Sequence, residues 1–539
     1  MKDISSTGSF IDFTLENYIY VDKTEYIPQL VKLKRVFISR PRRFGKSLTL
    51  DTIATLFESG VEPYFKGTWI YDKWTEHTYP VLRLNFLDLD KYSLDLFKQK
   101  LNSIITAFAQ DIKLKGYKEK VEPEDTIYFL LDELRKEKRQ IVILIDEYDC
   151  QMTANINNET LYKQFQEKIK SFYATIKNKW PIKFLGITGV TRLKDVEIFS
   201  IGSDIRDITN ASAYSQMIGF TRDEIKKYYI DYLKLASSYE NNCSVDNVTD
   251  EQIESMLDMM AQNYDGYCFD EFYKKKVFST WSVNSFFQSI IENKFVDFGD
   301  YWYDNGGLPS ILVNYLKTHK LNSLDYVEKD KTITIRVNDF KNPTSLTSIN
   351  QNVLMCQTGY LTLRSPVYSK GFITLGIPNS EVYNALLSLM ALNIFDDTKL
   401  ENVNEQILSQ SKDVGEIIEL FNTVLNTVSY DNYPISSEAV VQQLLYMYLK
   451  GICNSVSAEL HSSKGRADLV IESDNRRIVF EFKYAKNEIE AKVKLSEAIE
   501  QIKTRDYGNI VPKKAELLRI AAVFNADPKV RAFTEYHEV

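Results

Sequence analysis

The chain has 539 residues, 44% of them hydrophobic and 26% charged, which suits a globular protein of about two to four domains. Its net charge of −8 argues against a globally basic nucleic-acid binder, although a local basic groove stays compatible with it. Five scattered cysteines without a Cys-x-x-Cys pair, and only four histidines, argue against a disulfide framework and a zinc site. Because the sequence shows no signal core and no membrane-length apolar run, we expect a cytoplasmic protein without a membrane partner.

The first predicted elements surround a phosphate-binding loop. Residues 18–24 are strand-like and residues 26–32 helical, and an apolar strand at residues 36–38 is followed by a helix at 47–59. The intervening loop ends in Gly-Lys-Ser, the end of a Walker A pattern, although Arg40 occupies the position of the first glycine. Taken alone, Gly-Lys-Ser also fits an ordinary basic loop at a helix start. We expect the loop to bind ATP, with a set of contacting residues that comprises Arg43, Phe44, Gly45, Lys46 and Ser47.

The next segments predict the remainder of a parallel sheet. Residues 80–86 are a strand, residues 93–115 and 124–137 are helices, and residues 141–145 are a continuous apolar strand that ends in Asp146 and Glu147. This is a Walker B arrangement, although buried strands that end in two acids are common. Ser47 and Asp146 would hold Mg²⁺, and Glu147 would polarise the attacking water.

A further strand with its exit at residues 181–192 supplies two more candidates. Thr188 could sense the γ-phosphate, and Arg192 could contact the phosphates or a neighbouring subunit. Arg206 is a second candidate for a contact in trans with a neighbouring subunit. Strand-end hydrogen bonding or solvation is the alternative for each. The alternation of strands and helices predicts a parallel α/β sheet with right-handed crossovers.

The middle of the chain becomes helical. Thr221 and Glu224 form a capping box that opens a helix to about residue 235, a second helix covers residues 249–263, and a third begins at Trp281. Residues 296–345 are mixed, two strands at 359–363 and 371–375 form a small β element, and helices continue to about residue 428. We therefore predict four parts: a P-loop core (1–215), a helical lid (216–345), a mixed linker region (346–428) and a separate α/β domain (429–539).

The last part contains a predicted hairpin that carries acids. Two apolar runs flank residues 474 and 475, and centring the turn there makes the numbers of facing residues sum to 949, so that Asp468 faces Glu481. Because facing like charges destabilise a hairpin, the pair suggests a cation between them. Asp468, Glu481 and the Phe482 carbonyl offer hard oxygen ligands suited to Mg²⁺ or Mn²⁺, and Lys483 would orient the water that attacks a phosphodiester. An amphipathic surface hairpin with a Glu–Lys pair is the alternative.

Four other polar residues near this hairpin have open roles. Glu438, at the start of a helix, or Glu459 could supply another acid, and Gln501 and Tyr507, on or after the helix at residues 490–504, could contact a nucleic-acid backbone. A solvated or capping residue is the alternative for each.

Several of these stretches together resemble one bacterial family, the AAA-ATPase-like proteins with a C-terminal PD-(D/E)XK nuclease domain. The matching stretches are residues 20–24, Arg-Pro-Arg-Arg-Phe-Gly-Lys-Ser at 40–47, Ile-Asp-Glu-Tyr-Asp at 145–149, Thr-Gly-Val-Thr-Arg at 188–192, and Gly-Arg-Ala-Asp at 465–468 with Glu-Phe-Lys at 481–483. The resemblance implies a P-loop ATPase core, a helical lid and a restriction-endonuclease-like domain.

Three functions follow as hypotheses. The first is an ATP-hydrolysing enzyme coupled to a Mg²⁺-dependent nuclease that acts on nucleic acid, DNA in preference to RNA, by analogy in defence or mobile-element processing. The second is a nucleotide-switched scaffold whose C-terminal domain binds a partner without cutting, and the third is a nuclease with a vestigial P-loop. A homo-oligomer that completes sites between subunits is compatible with each.

Overall fold

The computed structural model describes residues 2–177, 179–193, 204–304, 310–316, 326, 329–343, 345–368, 371–395, 406–428, 434–451, 457–459, 468–472, 475–505 and 516–539. The chain divides into two compact units, Met1–Leu321 with Lys329–Val382, and Asn322–Glu328 with Tyr383–Val539. The four-part division stays a prediction. Among the described residues, no helix combines the length and the apolar character needed to cross a bilayer.

The first unit contains the predicted parallel sheet. Its strands are β1 (Arg35–Ser39), β2 (Val81–Asn85), β3 (Ile141–Asp146), β4 (Ile182–Gly189) and β5 (Arg206–Asp207). They pair in the order β2-β3-β4-β1-β5, and every pairing is parallel. The strand before the Walker A loop and the Walker B strand are therefore separated by β4, so that β1, β3 and β4 end at one edge of the sheet.

Helices lie between these strands and after them. Those of the first unit are α1 (Phe10–Leu15), α2 (Ile27–Leu33), α3 (Lys46–Ser59), α4 (Leu94–Asp111), α5 (Pro123–Lys136), α6 (Cys150–Ala154), α7 (Glu159–Ile176), α8 (Arg222–Tyr228), α9 (Ile230–Glu240), α10 (Asp250–Tyr264), α11 (Thr280–Asn293), α12 (Tyr301–Asp304), α13 (Ser310–Leu316), α14 (Val337–Lys341) and α15 (Gln351–Thr358). The predicted capping box of Thr221 and Glu224 is present. A second capping box, of Thr249 and Gln252, opens α10. The α/β class and the long helices around the sheet agree with the prediction.

The predicted strand at residues 18–24 is wrong. Apart from a single bridge between Asp3 and Tyr18, this segment pairs with no described strand, and a 3-10 turn begins at Thr24. Asp22 explains the turn, because its carboxylate accepts hydrogen bonds from the Thr24 N–H at 2.9 Å and the Trp69 N–H at 2.6 Å. The apolar residues Ile19 and Val21 pack into the core of the helical region instead of a sheet.

The helical region after the sheet has its own core and a small antiparallel sheet. The predicted helix from residue 221 to 235 is two helices, α8 and α9, which meet at the buried Tyr229. The small sheet contains β6 (Thr332–Arg336), β7 (Thr362–Leu363) and β8 (Phe372–Gly376) in the order β6-β8-β7. The sequence reading missed β6, whose residues alternate in exposure and include no long apolar run.

The second unit is built on a five-stranded mixed sheet. Its strands are β9 (Ser457–Glu459), β10 (Leu469–Glu472), β11 (Arg476–Ala485), β12 (Glu516–Asn525) and β13 (Ala532–Glu538), paired in the order β13-β12-β11-β10-β9. The remaining helices are α16 (Ser380–Ile394), which contains the residue where the two units divide, α17 (Gln406–Gln410), α18 (Val414–Asn426), α19 (Glu438–Gly451) and α20 (Glu488–Arg505).

The register of the hairpin β10–β11 is the predicted one. Leu469 pairs with Phe480, and Val470 pairs with Val479. Both faces are covered by helices, however. Val470 and Val479 pack against α20, while the rings of Phe480 and Phe482 contact Phe421 of α18. The hairpin is therefore a buried part of the core rather than an amphipathic surface element.

Candidate active sites

The Walker A loop connects β1 to α3 and is pre-shaped by its backbone. Gly45 has a φ of 97°, in the left-handed region that favours glycine, and α3 begins at the next residue. The Lys46 side chain is buried, and its Nζ donates to the carbonyls of Arg40 at 3.1 Å and Pro41 at 3.2 Å. The ammonium group thus lies inside the loop where phosphate oxygens would be bound.

The structure explains why an arginine is tolerated at the first glycine position. The Arg40 guanidinium is buried and donates to the carbonyls of Ser39 at 2.9 Å, Thr209 at 2.7 Å and Tyr214 at 3.4 Å. Its carbon Cζ lies 4.1 Å from the centroid of the Phe269 ring. Burial lowers the pKa of Arg40 to about 9, so the group stays charged at neutral pH. The side chain therefore anchors the loop from beneath.

Two other loop residues bind to the helical region. The ring of Phe44 is buried edge-on against Tyr267, with centroids 4.7 Å apart. The Arg43 guanidinium lies 3.9 Å from the Trp281 ring, and the Thr280 hydroxyl donates to the Arg43 carbonyl at 2.9 Å. Arg43 and Phe44, which were predicted to contact the nucleotide, thus link the loop to the segments around residues 267 and 281.

Asp146 is the centre of a hydrogen-bonded network that joins the ends of β3 and β4 to the start of α3. Its carboxylate accepts from the Ser47 hydroxyl at 2.5 Å, from the Thr188 hydroxyl and from the Glu147 N–H at 3.0 Å. The structure therefore brings together Ser47, Asp146 and Thr188, which are about a hundred and forty residues apart at the extremes. A carboxylate beside a hydroxyl is a donor set that fits Mg²⁺.

Glu147 lies on the other side of the same strand end. Its carboxylate forms an ion pair with Lys46, with Oε1 3.4 Å from Nζ, and its φ of 52° is unusual for a residue other than glycine. The P-loop lysine and the candidate general base thus neutralise each other in this state.

Asp149, the last residue of the stretch Ile-Asp-Glu-Tyr-Asp, has no predicted role, but it supports the candidate site through its hydrogen bonds. Fully buried, it accepts hydrogen bonds from the N–H groups of Val190 at 3.3 Å and Thr191 at 2.7 Å, and burial raises its pKa. A Cβ added to Gly189 would lie 2.4 Å from the Tyr148 ring, so a glycine is needed here. Asp149 therefore fixes the exit of β4, which positions Thr188.

The structure places Arg192 beside β5. Its side-chain Nε forms an ion pair with Asp207, and its backbone N–H donates to the Gln357 side chain at 3.3 Å. The contact of Arg192 with the phosphates or with a neighbouring subunit stays a prediction. The contact of Arg206, which is exposed, with a neighbouring subunit stays a prediction as well.

A cavity of about 160 Å³ adjoins the Walker A loop. Its walls combine one end of α3 with the N-terminal segment and the helical region, and they include Gly45, Leu48, Tyr20, Lys23, Phe220 and Trp281. Aromatic and aliphatic walls with a few polar groups suit a planar heterocycle.

The second unit places Asp468, Glu481 and Lys483 together at the open end of the hairpin. The Asp468 carboxylate accepts from the Phe482 N–H at 2.6 Å, while the buried Glu481 accepts from Lys483 at 2.7 Å. Lys483 Nζ also donates to the Phe482 carbonyl at 2.9 Å. Its ammonium thus contacts two of the three oxygen groups predicted to bind a metal.

The surroundings of this cluster disfavour the ionised form of Asp468 when no cation besides Lys483 is present. Burial, followed by the charge of Glu481, raises the pKa of Asp468 to about 7. Burial lowers the pKa of Lys483, but the hydrogen bond and charge of Glu481 outweigh it, so that the pKa rises overall. Two desolvated carboxylates and a carbonyl are a donor set that fits a hard divalent cation.

Helix α19 supplies two further groups to the cluster. Glu438, at its first turn, lies 3.5 Å from Lys483, and the Gln442 amide donates to the Asp468 carbonyl at 2.5 Å. Glu438 was one of the open candidates, whereas Gln442 was missed. The i, i+4 spacing of the two residues on one helix face is the signal that could have found it.

The other candidates near the hairpin are less closely tied to it. Glu459 pairs with Val470 through the backbone of β9, and Gln501 is half-buried on α20. Tyr507 and residues 465–467 lie outside the described residues. Within the parts of the chain that are described, no three His, Cys, Asp or Glu side chains group closely enough to form a metal site by themselves.

Comparisons with known proteins found a curated relative and a solved structure that align with most of the chain. A curated relative, the "Uncharacterized protein in vnfD 5'region" of Azotobacter chroococcum mcd 1, is 24% identical over 532 residues, which cover 95% of this chain and 94% of that protein. A solved structure, Cdc6p from Pyrobaculum aerophilum, aligns over 70% of this chain and 96% of that one at 11% identity, with a TM-score of 0.23 that is too low to support an argument.

Two family models match separate parts of the chain. Residues 5–199 match the model described as "Predicted AAA-ATPase", and residues 436–533 match that of the PD-(D/E)XK nuclease superfamily. The first range contains Lys46, Ser47, Asp146 and Glu147, and the second contains the Asp468 cluster. The chain thus joins an AAA-ATPase-like domain at its N-terminus to a PD-(D/E)XK nuclease superfamily domain near its C-terminus.

Proposed function

We propose that the protein hydrolyses ATP in its first unit and, under the control of that reaction, cuts phosphodiester bonds of nucleic acid in its second. The observation that carries the proposal is the cluster of Asp468, Glu481 and Lys483, in which a half-buried acid, a buried acid and a lysine converge as phosphodiester hydrolysis requires. DNA in preference to RNA, a cytoplasmic setting in defence or mobile-element processing, and assembly into a homo-oligomer belong to the same proposal.

In the first unit, ATP binding would exchange the partners of Lys46. Its ammonium would leave Glu147 and the carbonyls of Arg40 and Pro41 for the β- and γ-phosphates. Glu147, released from the ion pair, would then accept a proton from the attacking water. The nucleobase would enter the cavity beside Gly45 and Trp281.

Ser47, Asp146 and Thr188 would hold the other side of the phosphates. Ser47 and Asp146 are the candidate ligands of Mg²⁺, which would neutralise charge on the β- and γ-phosphate oxygens. Thr188 already hydrogen-bonds to Asp146, so its hydroxyl can respond to the presence of a γ-phosphate.

In the second unit, Asp468, Glu481 and the Phe482 carbonyl would hold a divalent cation. When bound, Mg²⁺ or Mn²⁺ supplies a Lewis acid for the scissile phosphate and lowers the pKa of a water. Lys483 would give up its contact with the Phe482 carbonyl and orient that water, and Glu438 lies within reach to keep the ammonium in place.

The test is nuclease activity of the full chain on single- and double-stranded DNA and RNA, with Mg²⁺ or Mn²⁺ and with or without ATP. Variants Lys483→Ala and Lys46→Ala are compared with Lys486→Ala, which removes an exposed lysine of the same unit. We expect Lys483→Ala to lower cutting by about 100-fold or more and the Lys486 variant to cut normally.

Each other outcome selects another function. Cutting that continues unchanged in Lys46→Ala without ATP would leave a nuclease with a vestigial P-loop. An absence of cutting on every polymer, together with intact ATP binding, would contradict the nuclease and favour the nucleotide-switched scaffold.

A further inference from the structure

We infer that the first unit carries a surface that binds single-stranded nucleic acid, formed by three exposed aromatic rings and the basic side chains around them. We call it the aromatic–basic surface, and its members are Phe272, Tyr368, Phe372, Lys274, Lys276 and Arg336. The inference deepens the proposed function and rests on it for the choice of a nucleic acid as the ligand, but it concerns residues outside both candidate active sites.

A rigid turn presents the first part of this surface. The fully buried Asp270 accepts hydrogen bonds from the N–H groups of Phe272 at 3.0 Å, Lys274 at 3.0 Å and Lys275 at 3.2 Å. These bonds hold the pKa of Asp270 below its usual value, even though burial acts in the opposite direction. Because its backbone is fixed, the turn presents the Phe272 ring and the Lys274 and Lys276 side chains to solvent at little cost in conformational entropy.

Backbone hydrogen bonds connect this turn to the small β-sheet. The Val367 N–H donates to the Glu271 carbonyl at 2.7 Å, which places Phe272 and Tyr368 next to the joined residues. Lys341 donates to the Tyr368 carbonyl at 3.4 Å. Phe272 and Tyr368 therefore belong to segments that are hydrogen-bonded to each other rather than to separate parts of the surface.

The register of the small sheet adds the third ring. Phe372 of β8 pairs with Arg336 of β6, so that their side chains lie side by side, and both are exposed. An aromatic ring beside a guanidinium is thus built into the last pair of the β6–β8 ladder.

The composition of the surface decides the kind of ligand. Phe272, Tyr368 and Phe372 are 57%, 66% and 64% exposed, and exposed rings on adjoining segments mark an interaction site, unlike rings scattered singly. The acids of the same segments are Asp270, Glu271 and Asp339, and basic side chains outnumber them. Rings that stack on unpaired bases, among cations that attract phosphates, are the pattern of proteins that bind single strands. A duplex offers no free base faces to such rings.

The same segment also reaches the Walker A loop. Tyr267 packs against Phe44, and the Phe269 ring lies beneath the Arg40 guanidinium, three residues before Phe272. A single strand bound at Phe272 would therefore restrain the segment that supports the loop, and we expect it to change the rate of ATP hydrolysis.

The test measures binding of the full chain in a Lys483→Ala background, which prevents cutting, to a labelled oligothymidylate and to a duplex of equal length. The variant Phe272→Ala/Tyr368→Ala is compared with Tyr92→Ala, which removes a ring of the same unit that is 70% exposed. We expect the double variant to weaken binding of the single strand by at least about 10-fold and Tyr92→Ala to leave it unchanged.

If the double variant melts at a lower temperature than wild type, a variant that removes one positive charge provides an independent test. Lys274→Gln should reduce the dependence of affinity on salt by about one phosphate contact, a slope of about 0.7 on logarithmic axes. Equal affinity of wild type and both variants, equal binding of strand and duplex, or salt-independent self-association of the chain would each overturn the inference. Binding that depends on these residues without cutting by the Lys483-intact protein would sink the nuclease proposal alone.

Discussion

The two candidate active sites hold their central carboxylates in opposite ways. In the first unit, Asp146 accepts hydrogen bonds from two hydroxyls and an N–H group. In the second unit, Asp468 accepts one N–H group and faces the buried Glu481. The first carboxylate is satisfied by neutral donors before any nucleotide arrives. The second lies in an environment that disfavours its charge, so a cation would relieve the cost. Metal binding to the second unit should therefore depend on pH and raise the stability of that unit. Metal binding to the first unit should instead depend on the nucleotide.

The largest expected effect is that of Lys46→Ala on ATP hydrolysis. It removes the cation that the proposed mechanism places on the β- and γ-phosphates, and we expect a loss of about 100- to 1,000-fold in kcat/KM for ATP. Steady-state ATPase assays check this against Lys32→Ala, an exposed lysine of α2. Mg²⁺ should still raise the melting temperature of the second unit in the variant. If it does not, the two sites are not separate as described.

The next effect is that of Arg40→Gly, which restores the usual Walker glycine. The variant leaves the carbonyls of Thr209 and Tyr214 without their charged donor, so we expect a loss of about 3 kcal/mol in the free energy of unfolding. Urea denaturation of the full chain measures it, with Lys32→Ala, at an exposed position of α2, as the control. An unchanged stability together with tighter ATP binding would show that the arginine obstructs the phosphate site.

Asp468→Asn should change the pH dependence of stability, which tests the contrast between the two carboxylates. The folded-state pKa of Asp468, about 7, lies above the ordinary value of 3.8, so ionisation destabilises the folded protein, increasingly as the pH rises from about 4 to about 7. Above pH 7 we expect the metal-free variant to be more stable than wild type, by an upper limit of about 4 kcal/mol, since one pKa unit corresponds to about 1.4 kcal/mol. The gain should vanish near pH 4.

Thermal melting between pH 4 and pH 8, with and without Mg²⁺, measures this difference. Glu538→Gln, which removes an exposed acid of the same unit, is the control. Mg²⁺ should stabilise wild type at pH 8 and have little effect on Asp468→Asn. A variant that is less stable than wild type at pH 8 without metal would contradict the assignment of a strained carboxylate.

The smallest expected effect is that of Gln442→Ala. It removes the amide that donates to the Asp468 carbonyl, and we expect a loss of about 1 kcal/mol in the free energy of unfolding. The adjacent Gln443→Ala serves as the matched control in the same denaturation experiment. Equal losses in the two variants would show that the amide does not support the hairpin.

The sequence predicted best what depends on neighbours along the chain. The register of β10 and β11 followed from a short turn and alternation alone, because every facing pair is fixed once the turn is placed. The Walker segments and their order could likewise be predicted, because a buried parallel strand and the loop after it have a recognisable local sequence pattern.

What the sequence could not predict depends on partners distant in the chain. The buried role of Arg40 requires carbonyls near residues 209 and 214, and the approach of Gln442 requires the docking of α19 on the hairpin. The mistaken strand at residues 18–24 has a similar origin, because Asp22 binds the Trp69 N–H from another segment. Propensity describes a residue's own preferences and carries no information on such contacts.

The buried guanidinium of Arg40 has an evolutionary consequence. An arginine at this position needs an acceptor at residues 209 and 214 and a ring at residue 269 at the same time, whereas a glycine needs none of them. Because residues 209 and 214 contribute backbone carbonyls that any residue supplies, only position 269 should covary with position 40. Relatives with glycine at position 40 should not need a ring at position 269, whereas relatives with the arginine should retain an aromatic residue there. A search that demands both Walker glycines would pass over such chains, although their phosphate loop is anchored more firmly than the pattern requires.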